Sequence, residues 1–147
     1  MSNPPPFLVL EAISKSFTLH LQGGQRIGVM QDVAFAVMPG ECVVLGGPSG
    51  AGKSSILKMI YGNYRCDRGR ILIRDGDEDV DIAGAEPRRI LALRKNVMGY
   101  VSQFLRVIPR VPTLEIVTEP GLMRGAAREE AEANARTLLT RLRLMRP

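Results

Sequence analysis

The sequence predicts an α/β fold in which an antiparallel β-rich opening leads into a parallel, doubly covered core. Three observations carry that prediction. The first third of the chain alternates short apolar runs with turn residues, as antiparallel hairpins do. A continuous apolar run, Cys42-Val43-Val44-Leu45, then reads as a strand buried on both faces. Directly behind it stands Gly47-Pro48-Ser49-Gly50-Ala51-Gly52-Lys53-Ser54, followed by the helical stretch Ser55 to Ile60. Strand, glycine-rich turn and helix in that order are the setting in which the spacing G-x-x-x-x-G-K-[ST] cradles phosphates.

Taken in order, Met1 to Pro6 is a proline-rich start expected to be disordered. Phe7–Leu10 is a short strand. Ser16–Leu21 and Arg26–Met30 flank the turn Gln22-Gly23-Gly24-Gln25 as a hairpin. Val33–Val37 is another apolar strand, closed by Pro39-Gly40. After the glycine-rich loop a helix runs to about Tyr61 and stops at Gly62. Gly69–Arg74 and Val80–Ile82 are strands joined by the tight turn Asp75-Gly76-Asp77. Pro87 starts a short basic helix over 88–94, and Val97–Val101 is the next buried strand, with Ser102-Gln103 at its carboxyl end. Three prolines make 104–120 irregular. From Ala126 to about Arg143 a helix gathers Ala127, Ala131, Ala135, Leu138, Leu139 and Leu142 on one face, with Glu132 and Arg136 as an i,i+4 pair.

Composition narrows the function classes. At 147 residues and 45% apolar content the chain suits one globular domain. No apolar run approaches the roughly 18 residues of a membrane helix, and the start lacks a signal-peptide layout. Two cysteines, Cys42 in a strand and Cys66 in a loop, form neither a disulfide framework nor a metal-ligand spacing, so a reducing cytoplasm is the simplest setting. The net charge is +5, but the basic residues are scattered and aromatics are only 5%. Without a basic stripe interleaved with stacking rings, the pattern argues against a nucleic-acid partner.

The chemistry concentrates in the glycine-rich loop. Glycines let backbone N–H groups approach a phosphate chain because no Cβ intervenes, and the following helix turns its positive end on the same anion. Lys53 can reach the β- and γ-phosphates and the Ser54 hydroxyl can ligate Mg²⁺. The loop marks a nucleoside-triphosphate site; Ser49 and Ala51 serve its shape. Asp77, Glu78, Asp79 and Asp81 cluster as carboxylates, in a pattern that suits a solvated hairpin better than a metal site.

An antiparallel opening, this loop, and a strand ending in Gln103 resemble the ATP-binding cassette (ABC) ATPases. The run Gly47 to Ser55 is similar to their Walker A motif. The resemblance implies an ABC nucleotide-binding domain over 7–147: mostly antiparallel β over 7–40, the phosphate-loop core over 41–103, and the start of the helical subdomain over 104–147. It further implies that Ser55 touches the α-phosphate, that Gln103 is the Q-loop glutamine meeting Mg²⁺ and the attacking water, and that Phe17 stacks on adenine. On the residues alone, core for Phe17 and an ordinary polar loop residue for Gln103 stay open as the lesser readings.

Glu41–Leu45, Gly76–Asp81 and above all Ser102–Arg110 resemble the PhnL-type ABC subunit of the phosphonate carbon–phosphorus lyase system. That resemblance implies a sister ABC-type subunit and the lyase core as partners, in place of a transport channel. Two other readings stand beside it: the ATPase of an ABC exporter of the lipoprotein or macrolide type, and a non-catalytic nucleotide-binding module.

The family pattern also calls for a signature motif, a Walker B strand ending in Asp-Glu and a switch histidine after the Q-loop. The sequence holds none of them, and its single histidine, His20, precedes the phosphate loop. The expectation is therefore a truncated chain, ending at the start of the helical subdomain, that binds ATP without turning it over and leaves apolar sheet faces open.

Overall fold

The computed structural model describes residues 4–19, 23–102 and 109–144, in two compact units, 1–98 and 99–147. His20 and Gln103 lie outside the described residues, as does most of the Ser102–Arg110 stretch.

The first unit is built on an antiparallel sheet. Strand β1 (Leu8–Leu19) pairs with β2 (Gln25–Val37) on one side and β3 (Arg68–Asp75) on the other, and β4 (Glu78–Asp81) pairs with β3, giving the order β2-β1-β3-β4. The four short strands expected before residue 40 are thus two long ones. Bulges merge them. Ala12 takes φ 46° and Asp32 takes φ 50°, and the β1–β2 register shifts between Leu10 and Ile13. Strand side chains alternate faces, so residues three apart would normally point in opposite directions. The extra residue at Ala12 lets Leu10 and Ile13 enter the same core. Ile71 and Ile73, at the expected spacing of two, reach it from β3. Gly69 permits the close approach: at φ +86° it passes so near β1 that a Cβ there would meet Glu11 O and stand 2.6 Å from Ala12 O.

Two helices close this core. Helix α1 (Lys53–Ile60) contributes Ile56 and Met59, and α2 (Pro87–Asn96) contributes Leu93, all buried with Val80 and Ile82. Pro87 sits at the start of α2, as expected, where its missing N–H costs nothing. Arg94 on α2 secures the end of α1: its Nε donates to Tyr61 O at 2.9 Å and its Nη2 to Asn63 Oδ1 at 2.8 Å. A cation thereby satisfies a carbonyl that the helix leaves unpaired.

Two expected strands do not form. Neither Cys42–Leu45 nor Val97–Val101 is a strand; Cys42 is exposed, Val44 is 85% exposed and Val101 94%. A buried parallel strand requires hydrogen-bonding neighbours on both edges and covered faces. No strand among the described residues pairs with either run, so composition alone does not hold them in a sheet.

The second unit contains α3 (Thr113–Met123) and α4 (Arg128–Arg141). Helix α3 occupies a stretch expected to be irregular. Its prolines do not forbid it, since Pro112 stands at the N-cap and Pro120 falls late in the helix. Thr118, buried, bonds back to Leu114 O at 2.7 Å. Helix α4 agrees with expectation in extent, but its buried stripe is narrower: Ala131, Ala135 and Leu139 are covered while Leu138 and Leu142 are exposed. The packing is tight at Gly121, where a Cβ would lie 3.0 Å from that of Ala131. Glu132 pairs with Arg128 at 3.3 Å, one turn earlier, and not with Arg136.

Candidate functional site

The glycine-rich loop is anchored where it enters α1. Ile56 and Met59 fix that helix in the core, and β2 serves as a floor under Gly52, the N-cap of α1: Gly52 takes φ +86°, and a Cβ there would sit 2.9 Å from Val29 Cγ1 and 3.0 Å from Met30 Cε. Gly47 and Gly50 also adopt positive φ, 127° and 83°. The helix opens with the Ser55 and Ile56 amides donating to Gly52 O at 2.9 and 3.0 Å.

The loop backbone is left with spare donors. Ala51 N–H donates to Pro48 O at 3.3 Å, but the N–H groups of Gly50, Gly52, Lys53 and Ser54 have no acceptor among the described residues. Four unspent donors at the positive end of a helix, with no acidic residue in its first turn, form an anion cradle. The Lys53 ammonium donates to Gly47 O at 2.8 Å and Pro48 O at 2.6 Å, so it lies over its own loop and enters no ion pair among the described residues. The Ser54 hydroxyl is exposed and makes no hydrogen bond among them; Ser55 is half-buried. These residues fit a polyphosphate, with Ser54 free to take a hard divalent cation such as Mg²⁺. Gln103, the expected second contact to the metal, is outside the described residues.

Phe17 stands half-buried near the end of β1, within a contact set that sequence reasoning missed. Tyr64 meets it edge-on at 5.4 Å between ring centroids, and Lys15 Nζ lies 5.3 Å over its ring. Behind it, Asp67 receives the Ser16 N–H at 2.8 Å, the Ser16 hydroxyl at 2.6 Å, Lys15 Nζ at 2.9 Å and Arg26 Nη2 at 3.3 Å. The Ser16 hydroxyl above all, then Lys15 and the Ser16 amide, hold the Asp67 carboxyl well below the usual carboxylate range. No local signal could have announced this, because Asp67 and Ser16 are 51 residues apart in sequence. A cavity of about 570 Å³ opens beside the network, lined by Ser16, Arg26 and Asp67 and also by Val29 and Met30, the residues under Gly52.

The carboxylates of the β3–β4 hairpin are engaged elsewhere. Asp79 pairs with Arg74, Glu78 and Asp75 with Arg89, and Asp81 with Arg70. Among the described residues no group of His, Cys, Asp or Glu could hold a metal ion.

Residues 30–146 match the family model described as "ABC transporter". This chain belongs to the ABC transporter family. Its curated relatives include the lipoprotein-releasing system ATP-binding protein LolD of Novosphingobium aromaticivorans, 35% identical over 145 residues, with 95% of this chain and 59% of the relative covered. LolD of Porphyromonas gingivalis is 37% identical over 139 residues, covering 93% and 58%. The chain therefore spans a little over half the length of the relatives it matches. Among solved structures, the ABC cassette MJ0796 bound to ADP and Pi superposes with a TM-score of 0.77 at 24% identity, over 90% of this chain and 56% of that one. That likeness establishes the ABC ATPase fold with its N-terminal antiparallel sheet.

The comparisons correct the finer resemblance. These relatives are lipoprotein-releasing ATP-binding proteins, so the assignment to a phosphonate carbon–phosphorus lyase subunit is not supported. The expected partners, a sister ABC-type subunit and the lyase core, fall with it. Of the runs that resemble PhnL, Glu41–Leu45, Gly76–Asp81 and Ser102–Arg110, the last lies mostly outside the described residues.

Proposed function

We propose that this chain is the nucleotide-holding part of the ATP-binding subunit of an ABC system of the lipoprotein-releasing type. The observation that carries the nucleotide assignment is the set of unspent N–H donors at Gly50, Gly52, Lys53 and Ser54, together with the Lys53 ammonium held on the loop by the Gly47 and Pro48 carbonyls. The similarity to the lipoprotein-releasing ATP-binding proteins supports the finer placement. Among the described residues no helix is long and apolar enough to cross a membrane. We infer a cytoplasmic subunit that docks on a membrane component.

Bound MgATP supplies the phosphoanhydride whose cleavage drives such systems. Toward it, the loop amides bind the phosphates without bulk solvent having to reorganise, because they are already oriented. Lys53 exchanges its two carbonyl contacts for phosphate oxygens and neutralises their charge. Ser54 would hold the metal through its hydroxyl, Ser55 would contact the α-phosphate and Phe17 would stack on the base; Gln103, by family resemblance, would meet the metal and the attacking water. Ser49 and Ala51 keep the loop's shape.

A second reading, binding without turnover, is favoured for these 147 residues alone, since they contain no run of four apolar residues leading directly into an Asp-Glu pair to activate water. One experiment tests both. MgATP binding and steady-state hydrolysis are measured for the purified chain beside Lys53→Ala. Binding that the substitution abolishes, with no turnover above background, is expected. Binding indifferent to Lys53 refutes the site; robust Lys53-dependent hydrolysis refutes the second reading.

A further inference from the structure

We infer that Asp67 is a positioning residue for the nucleotide base: by tying the end of β1 to the segment after α1, it sets Phe17 at a fixed place relative to the phosphate loop. The inference rests on the assignment of Phe17 as the stacking aromatic and adds a residue to it.

Asp67 lies between α1 and β3, a few residues beyond Tyr64. Its carboxylate collects four donors, three of them from Lys15 and Ser16, the two residues immediately before Phe17. The fourth, Arg26, comes from β2, and its Nε also donates to Ser16 Oγ at 2.6 Å, closing a ring of contacts across both strands. Phe17 is also met by Tyr64 of the same segment, whose own ring carries Lys58 of α1 at 5.3 Å. Thus the helix that aims its N-terminus at the phosphates ends in a segment, residues 61–67, that grips the aromatic ring. An aromatic platform contributes to base binding only if it stands where the purine falls when the phosphates are seated. The β1–β2 ladder pairs Phe17 with Ile27 and ties this strand end to β2 alone, so it does not fix the end of β1 relative to the segment after α1. Asp67 supplies that constraint, and charge-assisted bonds to a carboxylate are strong enough to hold it.

The test separates base from phosphate recognition. Affinities for MgATP and for magnesium tripolyphosphate, which lacks the base, are measured by calorimetry on the wild-type chain, Phe17→Ala, Asp67→Ala, Asp67→Asn and the double variant Phe17→Ala/Asp67→Ala. Phe17→Ala is expected to weaken MgATP binding by about 5- to 160-fold, the range of base–aromatic stacking, and Asp67→Ala by about fivefold, the low end of that range. Both leave tripolyphosphate binding unchanged, and Asp67→Ala adds nothing once Phe17 is gone. If Asp67→Ala does not fold, Asp67→Asn is compared in the same way, with a smaller loss. An unchanged MgATP affinity in Phe17→Ala refutes the stacking assignment itself. A Phe17 effect without an Asp67 effect, an equal loss for tripolyphosphate, or additive losses in the double variant overturns the positioning role.

Discussion

Replacing Gly69 with alanine should be among the most damaging single-methyl changes in the chain. Two costs arise together. At φ +86° an L-residue pays left-handed strain of about 1–2 kcal/mol. In addition, the new Cβ would stand 2.6 Å from Ala12 O and 2.7 Å from Ala12 C, and would meet Glu11 O, all of them backbone atoms in the paired strand β1. Backbone in a ladder cannot rotate aside as a side chain can, so β1 and β3 must separate where the Ala12 bulge is seated. Forcing extra volume into a packed site costs typically about 1–3 kcal/mol. The sum, about 2–5 kcal/mol, is a large part of the total stability of a small domain, about 5–15 kcal/mol. For a unit this size it corresponds to a fall in Tm of about 10–30 °C. Gly76 is the matched control: it too has positive φ, +64°, but a Cβ there meets nothing within 4 Å, so Gly76→Ala carries only the strain. Thermal unfolding of both variants by far-UV circular dichroism decides the matter. Equal Tm losses at the two sites would refute the steric argument.

Three further outcomes are expected. Gly52→Ala should weaken MgATP binding in titration calorimetry by at least about tenfold, because the loop must lift off Val29 and Met30 to admit the methyl group. Met59→Ala should destabilise the first unit by about 2–5 kcal/mol in urea denaturation, since Met59 is fully buried between the sheet and α2. Asp67 keeps its charge to lower pH folded than unfolded, so the unfolded chain protonates first as pH falls. Its contribution is fully present at neutral pH and drains away below about pH 4. Asp67→Asn should therefore flatten the acid side of the stability–pH curve, and an unchanged curve would show that the Ser16 and Lys15 contacts contribute no stability.

Local chemistry was legible in the order of residues alone. The spacing of Gly47, Gly52, Lys53 and Ser54 dictates a loop that turns into a helix N-terminus, because backbone freedom and helix polarity act within a few residues. The β3–β4 turn at Gly76, the proline start of α2 and the extent of α4 follow from similarly short-range rules. Whatever depends on a distant partner emerged only on folding. Cys42–Leu45 and Val97–Val101 have strand composition, yet a strand is stabilised by neighbours, and none of the described strands pairs with them. Ala12 and Asp32 adopt positive φ only because two long strands must keep Leu10 and Ile13 on one core face. Helix α3 forms through prolines placed at its N-cap and late in its length, with Gly121 allowing α4 to approach. Asp67 entered the candidate site in the same way. In sequence it is one carboxylate in a basic loop, and only the pairing of β1 with β3 brings it to Ser16 and the strand end that carries Phe17.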